Sequence, residues 1–336
     1  LFYKTLLSLF VVLFLSACSH KVSLTTIKPA NITLHSEQKK VSVNPFKQDS
    51  VGLSSKIEVA MGKVKIQDQN YFTLVNRKEL LEVLQEHKLQ SSELIDPTTV
   101  TQLGKLIGAQ TMVSGELSNV DAHTSYYYEP RKKCVLYSKE KGCLRYKYYQ
   151  TRCERLYATL SATISLIDVA SAQILYADTF DESKTFSSCY GALSYSGTQV
   201  LNFLADTIAQ EFVDKISPSY TNYSVEILDS LDLDTLSDTQ EDRFEYALEF
   251  LEQQRYDKAE EILGTLFMQS DSKSYVIAYN LGVVYEARNK LIDAKELYKT
   301  ADTLSYEPNE AINKALVRIE QLLAQQQTIK KQIDVP

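Results

Sequence analysis

The thiols and imidazoles are the first residues to ask for chemistry. Cys134, Cys143, Cys153 and Cys189 lie in the middle of the 336-residue chain, and none forms a CxxC pair. The four histidines, His20, His35, His87 and His123, are scattered, and only His123 lies near those cysteines. Structural zinc sites place such ligands in close pairs, so no metal site is expected. Neither HExxH nor GxSxG occurs. Gly104-Lys105 lacks the upstream glycine and the following hydroxyl of a phosphate-binding loop. Carboxylates are numerous, and none stands out from a solvated surface. The expectation is a protein that is not an enzyme and carries no cofactor.

The fifth cysteine, Cys18, has a different setting. Lys4 precedes an apolar run from Leu6 to Leu15, and Leu15-Ser16-Ala17-Cys18 follows. That run is too short for a spanning helix and has the form of a secretory signal. The tetrad resembles the lipobox of bacterial lipoproteins, which implies cleavage before Cys18 and acylation of its thiol and new amino terminus. Ser19 in the second mature position implies release to the outer membrane, facing the periplasm of a Gram-negative bacterium. In that oxidising compartment an even set of four remaining cysteines favours disulfides. Four cysteines allow three pairings, and spacing does not choose among them.

Residues 122–155 hold the other unusual chemistry. They contain Tyr126, Tyr127, Tyr128, Tyr137, Tyr146, Tyr148 and Tyr149. Nine Lys and Arg lie between Arg131 and Arg155, against Glu140 and Glu154. The whole chain has a net charge of −7, so it is not a nucleic-acid binder and any basic site is local. Tyr126, Tyr127, Tyr128, Arg131, Lys132, Lys133, Arg145, Tyr146, Lys147 and Tyr148 are the candidates for partner binding. Three of the four cysteines fall here, which reads as a disulfide-stapled surface hairpin, with Cys189 available to join it. A membrane strand needs about 9–11 alternating residues. Leu144, Tyr146 and Tyr148 alternate with Arg145 and Lys147 over a shorter stretch, and the candidate partner, 178–195, carries Asp181, Glu182 and Lys184.

The elements that must position this segment are legible on either side. A run at 39–46 opens the sheet, and 52–64 has Leu53, Ile57, Ala60 and Val64 at helical spacing. Residues 71–120 read as strand, helix, loop, helix, strand. Tyr71–Val75 is apolar on both sides, as in a strand buried on both faces. Leu80, Leu81 and Leu84 stripe the first helix. Asp96 and Pro97 cap and open the second, with Val100, Leu103 and Ile107 inward and Gly108 at its C-terminus. From Thr111 the pattern alternates again. Leu156, Ala158, Leu160, Ala162, Ile164 and Leu166 share one face of a half-buried strand, a turn follows at 168–172, and 173–180 returns as its partner. Leu201, Leu204, Ile208, Phe212 and Ile216 stripe a helix that Pro218 ends.

This order, with Asn76-Arg77, Gly104, Gly108-Ala109 and Gly115, resembles the CsgG superfamily, which takes in CsgG-, HfaB- and LpoB-like lipoproteins. The resemblance spans about 40–217. It implies an α/β (α+β) domain, a mixed sheet flanked by helices. It also implies that the segment after the Thr111 strand is where members supply either barrel strands or a partner-binding surface.

The last hundred residues change period. Residues 275–308 resemble a tetratricopeptide repeat, with Leu281, Gly282, Tyr285, Ala294, Tyr298 and Ala301 at that family's packing positions. An offset of 35 backwards gives a weaker first repeat with Tyr246, Ala247, Phe250, Ala259, Leu263 and Leu266. Residues 310–332 read as a capping helix. The resulting plan is a signal peptide at 1–17, a polar tether at 18–39, the α/β domain at 40–217, an acidic linker at 218–238 and an all-α repeat domain at 239–336. The expected function is that of an outer-membrane lipoprotein, anchored in lipid through Cys18, that assists assembly or secretion by binding a protein partner through the repeats. A CsgG-type oligomeric export channel, with the chain as a homo-oligomer, and an LpoB-like regulator of a cell-wall synthase stand beside it.

Overall fold

The computed structural model describes residues 20–90, 93–191 and 193–333, with Arg77 described in its backbone alone. The expected signal peptide and Cys18 lie outside the described residues. The chain divides into two compact units, Ala30–Ser219 with Lys331–Pro336, and Leu1–Pro29 with Tyr220–Lys330.

The first unit is α/β. Its sheet has five strands: β2 (Lys40–Val43), β5 (Thr73–Leu74), β6 (Thr111–Ser138), β7 (Gly142–Asp168) and β8 (Ile174–Ser188), in the order β5-β2-β6-β7-β8. β2 is parallel to both β5 and β6, and the β6-β7-β8 meander is antiparallel, so the sheet is mixed. Helices α1 (Leu53–Lys63), α2 (Arg77–Glu86), α3 (Pro97–Leu106) and α4 (Gly197–Ile216) flank it, and a small hairpin of β3 (Lys65–Ile66) and β4 (Gln69–Asn70) lies between.

Local sequence accounts for these elements. The Asp96 carboxylate accepts the Thr99 N–H at 2.9 Å and Pro97 opens α3. Gly108 takes a left-handed φ of 64° just past the helix end. Leu80, Leu84, Val100 and Leu103 then pack under β6 with Met112 and Ile167, while Leu81 stays exposed. The run at 71–75 supplies only two paired residues; Tyr71, Phe72 and Val75 are nevertheless buried. Gly115 sits where a Cβ would meet the Thr163 carbonyl at 2.7 Å and the Phe46 ring at 2.8 Å. On β7 the alternating set from Leu156 to Leu166 is at most 2% exposed throughout. It lies under α4, whose Leu204, Ile208 and Phe212 are buried in turn.

The second unit holds five helices, α5 (Asp238–Glu252), α6 (Tyr256–Gln269), α7 (Tyr275–Ala287), α8 (Leu291–Leu304) and α9 (Glu310–Ile333), of which α9 ends in the first unit. Short connections join them. Gln254 and Asn289, 35 positions apart, both adopt left-handed φ, 60° and 59°, in the turns of successive helical hairpins. Ala259, Leu263, Ala294, Tyr298 and Ala301 are fully buried, and Leu281 and Gly282 are buried with them. A Cβ on Gly282 would meet the Tyr298 ring at 2.7 Å, so glycine sets how closely α7 and α8 pack.

Two assignments from sequence are corrected in this unit. The tether reading fails at Lys21–Lys28, which is strand β1, and the linker reading fails at Ser219–Glu226, which is strand β9; the two pair with each other. The physical reason is the same for both. Val22 and Leu24 alternate with polar neighbours, as do Tyr223, Val225 and Ile227, and these residues close the core of the helical unit beside Phe244. Burial and a ladder outweigh the self-repulsion of the acidic run. One of its carboxylates also acts locally, since Asp232 accepts from Ser274 Oγ and from the Tyr275 N–H at the start of α7.

Beneath this core lies a charge that the packing pattern did not mark. Glu286 has no exposed side-chain surface and faces Arg318, which donates from Nε at 2.7 Å and from a terminal nitrogen at 3.0 Å. Tyr298 and Tyr223 also donate their hydroxyls to it, at 2.5 Å and 2.8 Å. Tyr298 is therefore both a packing residue and a hydrogen-bond donor. With four donors the buried carboxylate is fully satisfied.

Candidate functional site

The sheet narrows as it leaves its core. β2 pairs with β6 only as far as Val113, with one further bridge between Lys47 and Glu116. β8 stays beside β7 only until Ser188 meets Glu154. β6 and β7, however, remain paired from Thr111 and Asp168 out to Ser138 and Gly142. Residues 125–138 and 142–153 thus form a two-stranded arm. At 3.3–3.4 Å per residue it extends roughly 45 Å.

The sequence sets where the arm begins. The α4 N-terminus rests on the sheet at Ala122, whose Cβ lies 3.0 Å from where a Gly197 Cβ would stand. Ser196 and Gln199 close a capping box there and start the helix. Up to this line β7 offers Leu156, Ala158 and Leu160 to the helix. Beyond it the same strand offers Glu154, Arg152, Gln150, Tyr148 and Tyr146, and no helix covers them. The short alternation at 144–148 is one end of a continuous 27-residue strand. The 178–195 stretch is likewise mostly strand, β8 running past Phe180 to Ser188. Pairing with a neighbour lengthened both beyond what their own apolar periodicity marks.

Register places the candidate residues on two faces, because directly opposed residues share a face. Tyr128 opposes Arg152, Tyr126 opposes Glu154 and Lys132 opposes Tyr148 on one side. Tyr127 opposes Cys153, Arg131 opposes Tyr149 and Lys133 opposes Lys147 on the other. The cations settle on rings. The Arg152 guanidinium lies 3.9 Å from the Tyr126 ring centre, and Lys132 Nζ lies 4.6 Å from that of Tyr146. Arg155 stacks 4.5 Å from Tyr127 and Arg131 5.3 Å from Tyr190. The first three are diagonal pairs across the ladder. Arg131 also meets Glu129 at 2.7 Å, the one ion pair found among the described residues of the arm. Lys133 and Lys147 face each other directly, an arrangement that costs stability.

Arg145 lies near the tip, opposite Leu136 across a bulge. The structure therefore gathers all ten sequence candidates on one arm and divides them by face. Arg152, Arg155 and Tyr149 were counted in the segment but not singled out for binding, and Tyr190 lies outside it. Their signal was the register, which no single strand contains.

Two disulfides brace the arm. Cys134 joins Cys143 at the tip, and Cys153 joins Cys189 at the root, tying the chain just beyond β8 to β7. Cys153 is fully buried, and the Tyr127 hydroxyl reaches to 4.0 Å from Cys189 Sγ. Glu129 approaches both root sulfurs, the nearest grouping to a metal cluster among the described residues. The sulfurs are bonded to each other, so neither is a thiolate ligand. His123 lies outside that group, against Asp121 at 2.7 Å. His20 meets Glu252 at 2.8 Å in the helical unit.

The region from inside β1 to the root of the arm now has a recognisable order: strand, helix, strand, helix pair, long strand. The family model for the curli production assembly/transport component CsgG matches residues 25–127. The CsgG likeness thus ends on the arm's first strand, at Tyr127. Among solved structures, the PelC L103M dodecamer from Paraburkholderia phytofirmans is 12% identical, with a TM-score of 0.27, over 57% of this chain and 96% of its own. Lipoprotein GNA1162 from Neisseria meningitidis is 12% identical, with a TM-score of 0.29, over 52% of this chain and 97% of its own. No curated protein matches the sequence. Among the described residues no helix is long and apolar enough to cross a membrane.

Proposed function

We propose that this protein is a non-enzymatic outer-membrane lipoprotein, held by an acylated Cys18 and facing the periplasm, that assists assembly or secretion by binding protein partners. The observation that carries the reading is the arm. Its shaft presents Tyr126, Tyr128, Tyr146 and Tyr148 with Lys132 and Arg152 on one face, and these cations rest on rings instead of carboxylates. Tyr and Arg are among the residue types enriched where binding energy concentrates at protein interfaces. The CsgG likeness of residues 25–127 supports the secretion or assembly setting. The helical unit resembles tetratricopeptide repeats at Leu281, Gly282, Tyr285, Ala294, Tyr298 and Ala301, and such stacks are protein-binding modules. A regulator of a cell-wall synthase would act through the same surfaces.

The channel reading meets a physical obstacle. A membrane barrel turns one face of each strand to lipid. Here one face carries Lys132 and Arg152, and the other Arg131, Lys133, Lys147 and Arg155. A cation on the lipid side near the midplane costs about 2–4 kcal/mol.

A photo-crosslinking residue at Tyr128 or at Tyr148 in the full chain, expressed in its native envelope, tests the proposal. A discrete adduct with another protein, lost on combining Tyr126→Ala with Arg152→Ala, is expected. Detergent extraction supplies the opposing result. A ring of this chain that conducts in planar bilayers, with no such adduct, overturns the scaffold reading.

A further inference from the structure

The arm's tip differs in chemistry from its shaft. Val135, Leu136, Tyr137 and Leu144 are exposed by 45%, 50%, 71% and 52% of their surface. They crowd into the last residues of a ribbon that no other described element covers. Ordinary exposed apolar residues are scattered; these are adjacent, on both strands, at a convex end. Around them stand Lys133, Lys139, Lys141, Arg145 and Lys147, all exposed. Glu140 is the sole acid between Arg131 and Arg155 on the tip side of Glu154. The Cys134–Cys143 disulfide fixes the two strands at this point, and bulges at Cys134/Leu136 and Leu136/Tyr137 splay the side chains.

We infer that the disulfide-stapled tip, 135–144, docks on an anionic phospholipid surface, with Val135, Leu136, Tyr137 and Leu144 entering the headgroup layer and the surrounding Lys and Arg meeting lipid phosphates.

Three features select lipid over a protein surface. A convex finger end offers too little area to build the buried centre of a protein interface. Lysine, the main cation here, is depleted at protein interfaces. At a bilayer surface it is favoured, since its stem lies along apolar groups while the ammonium reaches phosphate. The charge is also complementary: the chain is negative overall, so attraction to an anionic surface has to come from a local cluster such as this. The tip is short, and the cations on both faces of the shaft stop it from entering further.

Vesicle binding by the chain from Ser19 onward tests this, because it lacks the lipid anchor and keeps both described cores. The chain has no tryptophan, so Tyr137→Trp places a single indole reporter at the tip. Vesicles of phosphatidylcholine alone are compared with vesicles that also contain phosphatidylglycerol. A blue shift of the indole emission and co-flotation are expected with the anionic vesicles and weaken with salt. Leu136→Ser with Leu144→Ser, and separately Lys139→Glu with Lys141→Glu, each lower binding by about tenfold or more. Non-reducing mass spectrometry showing Cys134–Cys143 intact confirms that each variant keeps the tip fold. An unshifted indole emission overturns the inference, as does co-flotation that the Leu136/Leu144 variant leaves unchanged. Binding abolished by soluble polyphosphate with no emission shift also overturns it, in favour of a polyanion site. These readouts do not depend on the protein partner of the shaft.

Discussion

Glu286 is the buried carboxylate on which Arg318, Tyr298 and Tyr223 converge. Glu286→Gln leaves the Arg318 guanidinium beside a neutral amide, with a side chain only 20% exposed. Removing one partner of such a pair typically costs about 3–5 kcal/mol. The expected outcome is a lower urea midpoint with an unchanged slope. Glu286→Gln combined with Arg318→Met recovers much of that loss, since no uncompensated charge remains. Asp168 is a carboxylate whose titration its neighbours set. Burial pushes its carboxyl up, but the Gln38 amide and the Ser171 hydroxyl and N–H outweigh this and hold it below the usual carboxylate range. A depressed carboxyl stabilises the fold above its unfolded pKa of about 3.9 and loses that contribution as pH falls through its folded value. Gln38→Ala therefore raises the Asp168 pKa toward its unfolded value, lowers stability at neutral pH and flattens the loss of stability on acidification. NMR titration of Asp168 checks the shift.

At the scale of elements, the two disulfides separate in their effect. Cys134 and Cys143 are 9 residues apart and Cys153 and Cys189 are 36 apart. Loop entropy alone gives about 2.5 kcal/mol for the first and about 4 kcal/mol for the second. The root pair, Cys153→Ser with Cys189→Ser, is expected to lower the thermal midpoint further and to free the end of β8 for hydrogen exchange. The tip pair is expected to lower the midpoint less than the root pair does and to raise exchange mainly between 132 and 146. Helix packing gives a second test. Gly282→Val pushes α7 off Tyr298, at a cost of about 1–3 kcal/mol or more, read as a drop in the unfolding midpoint. The arm itself follows from the change of partner along β7. An alternating strand under α4 becomes a solvated ribbon once the helix ends.

The whole molecule is two cores threaded by one chain that crosses between them more than once. The first strand belongs with the C-terminal helices, since Val22 and Leu24 pack with Val225, Ile227 and Phe244. Leu24→Ala is expected to cost about 2–5 kcal/mol and to expose amides of β1, β9 and α5. Leu160→Ala, at the same cost, is expected to act on the α/β unit. Hydrogen exchange resolved by residue distinguishes the two. Unchanged protection of β9 in Leu24→Ala contradicts the placement of β1. Charge is divided as well: a chain of net −7 gathers nine cations on 131–155, which directs anionic surfaces to one end of one element.

Period and composition alone determined much of this architecture. The helix pair around Asp96 and Pro97, the buried face from Leu156 to Leu166, the α4 stripe and the helical character of the C-terminal region were legible, because each is a local pattern over a few turns or one strand. The ten candidate residues of the arm were legible as a cluster of type. Pairing was not. That Cys134 meets Cys143, that Arg152 stacks on Tyr126, that residues 21–28 and 219–226 form one ribbon, and that Glu286 meets Arg318 depend on segments brought together across the fold. Cross-strand register and buried charge pairs are properties of two segments at once. A single stretch of sequence carries half of each, and only the tertiary structure supplies the other half.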